Sequence, residues 1–418
     1  MKILIVNRNY FISGGPEKYM FSLMKNMSEH DFIPFCLDFF KNEKTPYQNY
    51  FLKPPGGPDN VYFNQFKMSL FQKIGYGLNM IYSFDARRQI EKLLKEAKPD
   101  VALFLNAVYF TDSIIDACKK YNVPVICRMS DFNKICANYL LYRDGDVCED
   151  CLEKGLWRIF ANRCGGYQRS LSAAAIKFTS MCLSKYRKSN DYVSFFITPS
   201  QFTRQKMIQG GFDPEKIVHV PTFTKVSQDI PDVESDQKTI LYVGRISPEK
   251  GVDVLMEAFM GIKDKRALLK IVGDTNSDYA KQLIDSVPME MKERIQFLGF
   301  KGQQDVKQLF LSSLFFVTPS VWYENQPNVV LEGMGLGRPA LVSKLGSLTE
   351  MVLEGKTGYH FKAGDPKDLA EKIDLMLNNP EQSIEMGKAA WEYVKENHNI
   401  QNHLSSLNAL IQKVANKS

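Results

Sequence analysis

Eleven short apolar runs, most of them separated by longer amphipathic stretches, constrain this chain more than any other feature. The first half carries "KILIVN", "IPFCLDFF", "DVALFLN", "PVICRMS", "FFITPS" and "IVHVPTF". The second carries "ILYVGRI", "LLKIVGD", "IQFLGF", "LFFVTPS" and "PALVSKLG". A strand apolar along its whole length must be covered on both faces, and intervening helices make neighbouring strands parallel. Two successive sets therefore predict an α/β chain of two doubly wound, Rossmann-like parallel-sheet domains. The length, 418 residues, also exceeds what one hydrophobic core organises.

Between the two sets lies "TKVSQDIPDVESDQK", residues 224–238, polar, charged and proline-containing, which reads as a linker. The expected domains are 1–222 and 223–399, with a closing helix at about 400–418 expected to pack back on the first. Open α/β sheets bind ligands beyond the carboxyl ends of their strands. Two such sheets facing each other make a cleft, so motifs at strand ends matter most.

Hydrophobic content of 44% and charged content of 24% exclude disordered and fibrous classes. The opening "MKILIV" is too short for a signal-peptide core, and no run reaches the ~18 apolar residues of a spanning helix. A cytoplasmic location is the expectation. Residues 1–222 hold 30 basic and 21 acidic side chains, the remainder 23 and 26. The basic half either is solvated surface or meets an anionic lipid or acceptor. Two stretches there, 63–84 and 169–190, mix apolar and basic residues; each reads as an ordinary amphipathic helix or as peripheral contact with the inner face of a membrane.

Three strand ends carry candidate chemistry. In "VGRISPEKG", Gly244 and Arg245 close a strand and Lys250 precedes the next helix. A guanidinium fork and an ammonium converging across a turn suit a diphosphate, although a plain charged turn has the same composition. In "NYFISGGPEKYM", Gly14 and Gly15 open a helix after the first strand. Glycines there admit a phosphate to the helix N-terminus, or simply make a tight turn. In "LFFVTPSVWYENQPNVVLEGMGLGRPALV", Glu324 lies in the loop after a strand and Glu332 about one turn into a helix. The amides of Asn328 and Val329 open that helix. Alone, either glutamate also reads as a loop acid or a solvated helix residue.

Together these stretches, with "IVGD", "IQFLGF", "SKLGSLTEMV" and "GKTGYHFKAGDPKDLAEKI", resemble the family-four retaining glycosyltransferases of GT-B architecture, strongly over 239–377 and loosely over the first half. Glu324 and Glu332 match that family's E-x7-E pair. The resemblance implies that Arg245 and Lys250 hold the diphosphate of a nucleotide sugar. It also implies that Glu332 bonds the ribose, that Glu324 faces the donor sugar, and that Gly15 sets its backbone against phosphate or sugar. The implied reaction is metal-independent sugar transfer to a glycan or polyprenyl-linked acceptor in surface polysaccharide (capsule or lipopolysaccharide) assembly. The alternative is a non-catalytic nucleotide-sugar-binding partner in an assembly complex. Nucleic-acid binding has no supporting motif.

Two departures stand out. Where many relatives carry His-Asp after the fourth strand, this chain has Ser130 and Asp131. Asp131 is retained as a candidate for acceptor or sugar contact, and Arg128 and Ser130 are candidates for the missing histidine's place. Of eight cysteines, Cys36, Cys118, Cys127 and Cys182 lie in strand or helix patterns and read as buried. Cys136, Cys148, Cys151 and Cys164 form C-x11-C-x2-C-x12-C, which suits either a structural zinc or four reduced thiols. The "DGD" at 144–146, a metal-binding pattern in another glycosyltransferase architecture, reads here as an Asp-Gly turn.

Overall fold

The computed structural model of the protein describes residues 1–61, 70–165, 170–226, 229–230 and 238–416. Its strands in chain order are β1 Lys2–Val6, β2 Asp31–Phe35, β3 Val101–Phe104, β4 Val125–Arg128, β5 Tyr142–Arg143, β6 Asp146–Val147, β7 Val193–Thr198 and β8 Ile217–His219. They continue as β9 Thr239–Val243, β10 Leu268–Val272, β11 Ile295–Gly299, β12 Phe315–Thr318, β13 Ala340–Ser343 and β14 Gly358–Phe361. Two six-stranded sheets result, ordered β2-β1-β3-β4-β7-β8 and β11-β10-β9-β12-β13-β14. Every pairing in both is parallel. Their central strands are buried along their length, as in β3, β12 and β13, which is why they appear in the sequence as unbroken apolar runs.

The eleven runs all contain strands. The twelfth strand of the two sheets, β14, carries no apolar run, because it is an edge strand with the half-buried residues Tyr359 and His360 at its centre. Asp144 and Gly145, with φ of 57° and 91°, form the two-residue turn between antiparallel β5 and β6. Those angles are the hairpin geometry that Asp-Gly favours.

The chain crosses between the domains twice. Of the segment 224–238, residues 227–228 and 231–237 lie outside the described residues. The return crossing follows the helix Pro380–Asn397, whose Ala390 and Val394 pack with Leu331 and Met334 of the second domain. The last helix, Ile400–Ala415, buries Leu407, Ile411 and Val414 against Ile3, Ile5 and Leu103 of the first sheet. At this double crossing His398 bonds the Thr222 carbonyl at 2.8 Å and Thr224 N–H donates to the His398 carbonyl at 3.1 Å.

Cys36, Cys118 and Cys127 are buried as expected, but Cys182 is only half-buried, because its helix, Leu171–Arg187, buries little besides Ala174. That helix packs on Leu70–Ile81. The pair covers most of the two amphipathic stretches, and residues 63–69 and 169 lie outside the described residues. Ile74, Leu78, Leu171 and Tyr186 are exposed on it. No helix among the described residues is long and apolar enough to cross a membrane.

Candidate active site

Strand ends of both sheets supply the site. After β9, Gly244 leaves no room for a side chain, since a Cβ would sit 2.8 Å from the Tyr242 hydroxyl. The Tyr242 hydroxyl in turn donates to the Arg245 carbonyl at 2.6 Å. A short turn, Pro248–Lys250, ends at Gly251 with φ of 65°, where a Cβ would be 2.0 Å from the Pro319 carbonyl oxygen. Only glycine permits this approach, and it presses Lys250 against the loop leaving β12.

There Lys250 Nζ meets Glu324 Oε1 at 2.6 Å and lies 5.0 Å from the Trp322 ring centre. Ser320 Oγ and Trp322 Nε1 donate to the same oxygen at 2.6 and 3.0 Å, and Ser347 Oγ ties the Glu324 carbonyl at 2.7 Å. Glu324 is 5% exposed. Burial works to raise its carboxyl, but the Lys250 charge and the three hydrogen bonds outweigh it and hold the carboxyl below its ordinary value.

The helix Asn328–Met334 begins four residues later, capped by Pro327. With seven residues it has a small dipole, so its contribution is the amides of Asn328 and Val329, which have no carbonyl one turn back inside the helix. Facing them is the first turn of the helix Gly15–Asn26 from the other domain. A Cβ on Gly15 would stand 3.0 Å from Asn328 Nδ2. Gly14 caps that helix in extended backbone, and the loop before it is held by buried Glu17, which accepts from Asn7 Nδ2 at 3.2 Å and Ser13 Oγ at 3.0 Å. Glu332 has no hydrogen-bond donor among the described residues; burial pushes its carboxyl up, opposed by the charge of Lys18.

The structure therefore brings Lys250, Glu324, Gly15, Asn328 and Glu332 to one interdomain cleft. Arg245 stands at its edge, 60% exposed and paired with Glu249 at 3.1 Å, without touching Lys250 or Glu324. Asp131 is held by its own loop, accepting from Asn133 N–H at 2.9 Å and from the Asn133 side chain, and it makes no bond to this cluster. Arg128 is spent elsewhere: its guanidinium lies 4.1 Å from the Tyr19 ring centre and donates to Thr222 Oγ1 at 2.8 Å and Ser130 Oγ at 3.2 Å.

Sequence reading missed the residues that hold the cleft together. Tyr323 donates to Glu149 at 2.6 Å, and Glu149 also takes Lys206 at 2.6 Å. Asn325 Nδ2 donates to the Met129 carbonyl at 2.8 Å, and Gln326 Oε1 accepts from Thr222 N–H at 2.6 Å. Glu350 accepts from the amides of Gln201, at 2.8 Å, and Phe202. Lys18, one turn from Gly15, was also unremarked. No local pattern marks such contacts, because the partners are far apart in the chain and most lie in the other domain.

Of the four clustered cysteines, Cys151 packs against a small core that contains Cys164, and Cys136 Sγ donates to Asn138 Oδ1 at 2.8 Å. Burial, with lesser contributions from the other cysteines, pushes Cys136 up to about 11 and Cys151 up to about 12. Among the described residues, no three His, Cys, Asp or Glu side chains are already gathered as a metal would gather them.

Two doubly wound domains with strand ends facing a common cleft define the GT-B fold, and this chain has it. Residues 225–393 match the family described as glycosyl transferases group 1. An uncharacterized glycosyltransferase of Methanocaldococcus jannaschii is 32% identical over 174 residues, 42% of this chain and 48% of that protein. The lipopolysaccharide 1,2-N-acetylglucosaminetransferase of Salmonella typhimurium is 27% identical over 48% of this chain and 59% of its own length. The chain thus spans about half the length of the curated relatives it matches. The HepE protein of Anabaena, solved with UDP, superposes with a TM-score of 0.67 at 15% identity, covering 99% of this chain and 100% of its own, a likeness of fold.

Proposed function

We propose that this chain is a retaining glycosyltransferase that moves a sugar from a nucleotide-diphosphate donor to a glycan or lipid-linked glycan acceptor in surface polysaccharide assembly. The observation that carries the reading is the Lys250–Glu324 pair at 2.6 Å, set beside the seam where Gly15 faces Asn328. The UDP complex of the Anabaena structure and the lipopolysaccharide transferase among the relatives support the donor and acceptor classes.

Cleaving the bond between the sugar and the diphosphate leaves new negative charge on the leaving oxygen. Lys250, Arg245 and the amides of Asn328 and Val329 stand ready for it, and each such fixed donor is commonly worth about 2.7–4 kcal/mol in a transition state. Glu324, kept ionised, faces the sugar and orients Lys250. Glu332 lacks a donor in the free protein and gains two when ribose hydroxyls bind. The acceptor hydroxyl then attacks from the face the diphosphate leaves, which takes its proton, so configuration is kept. This route asks for no divalent metal; the Asp144–Asp146 pattern supports that reading by forming a hairpin turn. Exposed Ile74, Leu78, Leu171 and Tyr186 in the basic half favour a peripheral position at the cytoplasmic membrane face.

The test is a panel of UDP-, GDP- and dTDP-sugars. One donor at 100 times its Kd should add about 2.7 kcal/mol of apparent stability. That donor should be slowly hydrolysed and should give a product of unchanged anomeric configuration. A protein that binds a donor but never turns it over is the non-catalytic assembly partner; one that binds none refutes both.

A further inference from the structure

We infer that Thr222 is a positioning residue for sugar transfer, tying the loop between Glu324 and Asn328 to the place where both interdomain crossings meet. The inference rests on the activity proposed above. Its backbone reason begins at the edge of the first sheet. Strand β8 ends at His219, and the Val220 N–H bonds the Thr198 carbonyl at 3.0 Å. Pro221 has no N–H to continue the ladder, so the chain leaves the sheet there. Thr222 follows, 5% exposed, and its N–H, carbonyl and Oγ1 are each taken by a different element.

The N–H donates to Gln326 Oε1 at 2.6 Å, in the loop of the second domain. The carbonyl accepts from His398 Nδ1 at 2.8 Å, at the return crossing. The Oγ1 accepts at 2.8 Å from Arg128, the last residue of β4. Arg128 in turn lies 4.1 Å from the Tyr19 ring centre, and the Tyr19 hydroxyl meets His403 Nε2 at 2.7 Å. His403 Nδ1 closes the web on the Pro221 carbonyl at 2.7 Å.

Both faces of the interdomain seam therefore lead back to Thr222. Tyr19 lies about one turn beyond Gly15 in the same helix, and Gln326 lies just ahead of Asn328. Gly15 and Asn328 face each other across the seam, so a residue joined to the carriers of both fixes their spacing. Losing either tie leaves Lys250, Glu324 and Glu332 in place on the second domain and frees its loop from the first. Nucleotide binding should then hold while transfer slows, because small displacements of reacting groups cost rate steeply.

The experiment compares Thr222→Val, which keeps shape and N–H but removes the acceptor for Arg128, with Gln326→Met, which removes the acceptor for that N–H. Thr222→Ser keeps both bonds and serves as the rescue. Each of the first two should lower kcat about tenfold. Affinity for whichever of UDP, GDP or dTDP the unaltered chain binds should change by less than about twofold. The double variant should be no worse than either single one, and Thr222→Ser should match the unaltered chain. Affinity falling in step with kcat, additive losses, or a Thr222→Ser as slow as Thr222→Val would each overturn the inference. Gln326 is half-buried, so its variant decides the matter if Thr222→Val folds poorly. A readout without substrate keeps the inference apart from the activity. With Trp157→Phe and Trp391→Phe, Trp322 is the sole tryptophan left, on the same loop as Gln326. Acrylamide should quench it more strongly once Gln326→Met is added, and equal quenching overturns the inference. An unaltered chain that turns over no donor would sink the activity instead, and the quenching would still test the tie.

Discussion

Tyr323 in the second domain donates a 2.6 Å hydrogen bond to Glu149 in the first, and the next residue along the chain is Glu324. The contact therefore couples domain apposition to the orientation of the carboxylate that Lys250 holds. Tyr323→Phe removes one bond to a charged acceptor, a loss of about 1.5–3 kcal/mol where such a bond matters fully. Donor turnover should fall roughly tenfold or more in kcat/KM, and Glu149→Gln should do the same. The double variant should be little worse than either single one. Additive losses in steady-state kinetics would show that the two residues act independently.

Gly15 tests the seam. It is the first residue of its helix, and a side chain there meets Asn328 Nδ2 at 3.0 Å. Gly15→Val should weaken donor binding by about tenfold, on the scale of one lost contact of 1.4 kcal/mol. The melting temperature should barely move, because the obstruction lies between domains and outside either core. Calorimetric titration of the donor alongside thermal melting separates the two effects.

Lys250 and Glu324 form a buried pair with side chains 16% and 7% exposed. Removing one partner of such a pair costs about 3–5 kcal/mol, since the other charge stays buried. Lys250→Ala should therefore lose both stability and turnover. Lys250→Met with Glu324→Gln should recover much of the stability in denaturant melts and none of the turnover. Arg245→Ala, at an exposed position, should lose donor affinity with stability unchanged.

His403 makes stability depend on pH. Its Nδ1 lies 2.7 Å from the Pro221 carbonyl oxygen and its Nε2 2.7 Å from the Tyr19 hydroxyl, so the neutral ring donates once and accepts once. Burial lowers it to about 4, the Pro221 bond opposes this, and the Arg128 charge adds to it. The unfolded ring takes a proton near pH 6.5 and the folded one only near 4. Stability from this group is thus complete above pH 6.5 and declines as pH falls toward 4, by up to about 3 kcal/mol. Denaturant melts at pH 7.5 and 5.0 should show the decline, and His403→Gln should reduce the difference between them.

Much of this molecule was legible in its residues. Central parallel strands are covered on both faces, so their apolar runs stand out from the chain without any knowledge of partners. The Asp144–Gly145 turn was equally readable, since local backbone geometry selects it. β14 was not, because an edge strand with Tyr359 and His360 half-exposed needs no apolar run. The candidate pair Glu324 and Glu332 was marked only by the resemblance to a family motif. What separates their environments was not: Lys250 holds the first ionised, while burial without a donor pushes the second up.

The sequence by itself determined two sheets, their division and the strand ends at which charged and glycine residues collect, because those follow from local periodicity and backbone chemistry. Only the tertiary structure decided that Tyr323 meets Glu149, that Gly15 faces Asn328, and that Arg128 is consumed by Tyr19 and Thr222. These partners are brought together by domain packing and by a final helix that returns to the first sheet. Contacts between surfaces so distant in the chain leave no periodic trace in either segment.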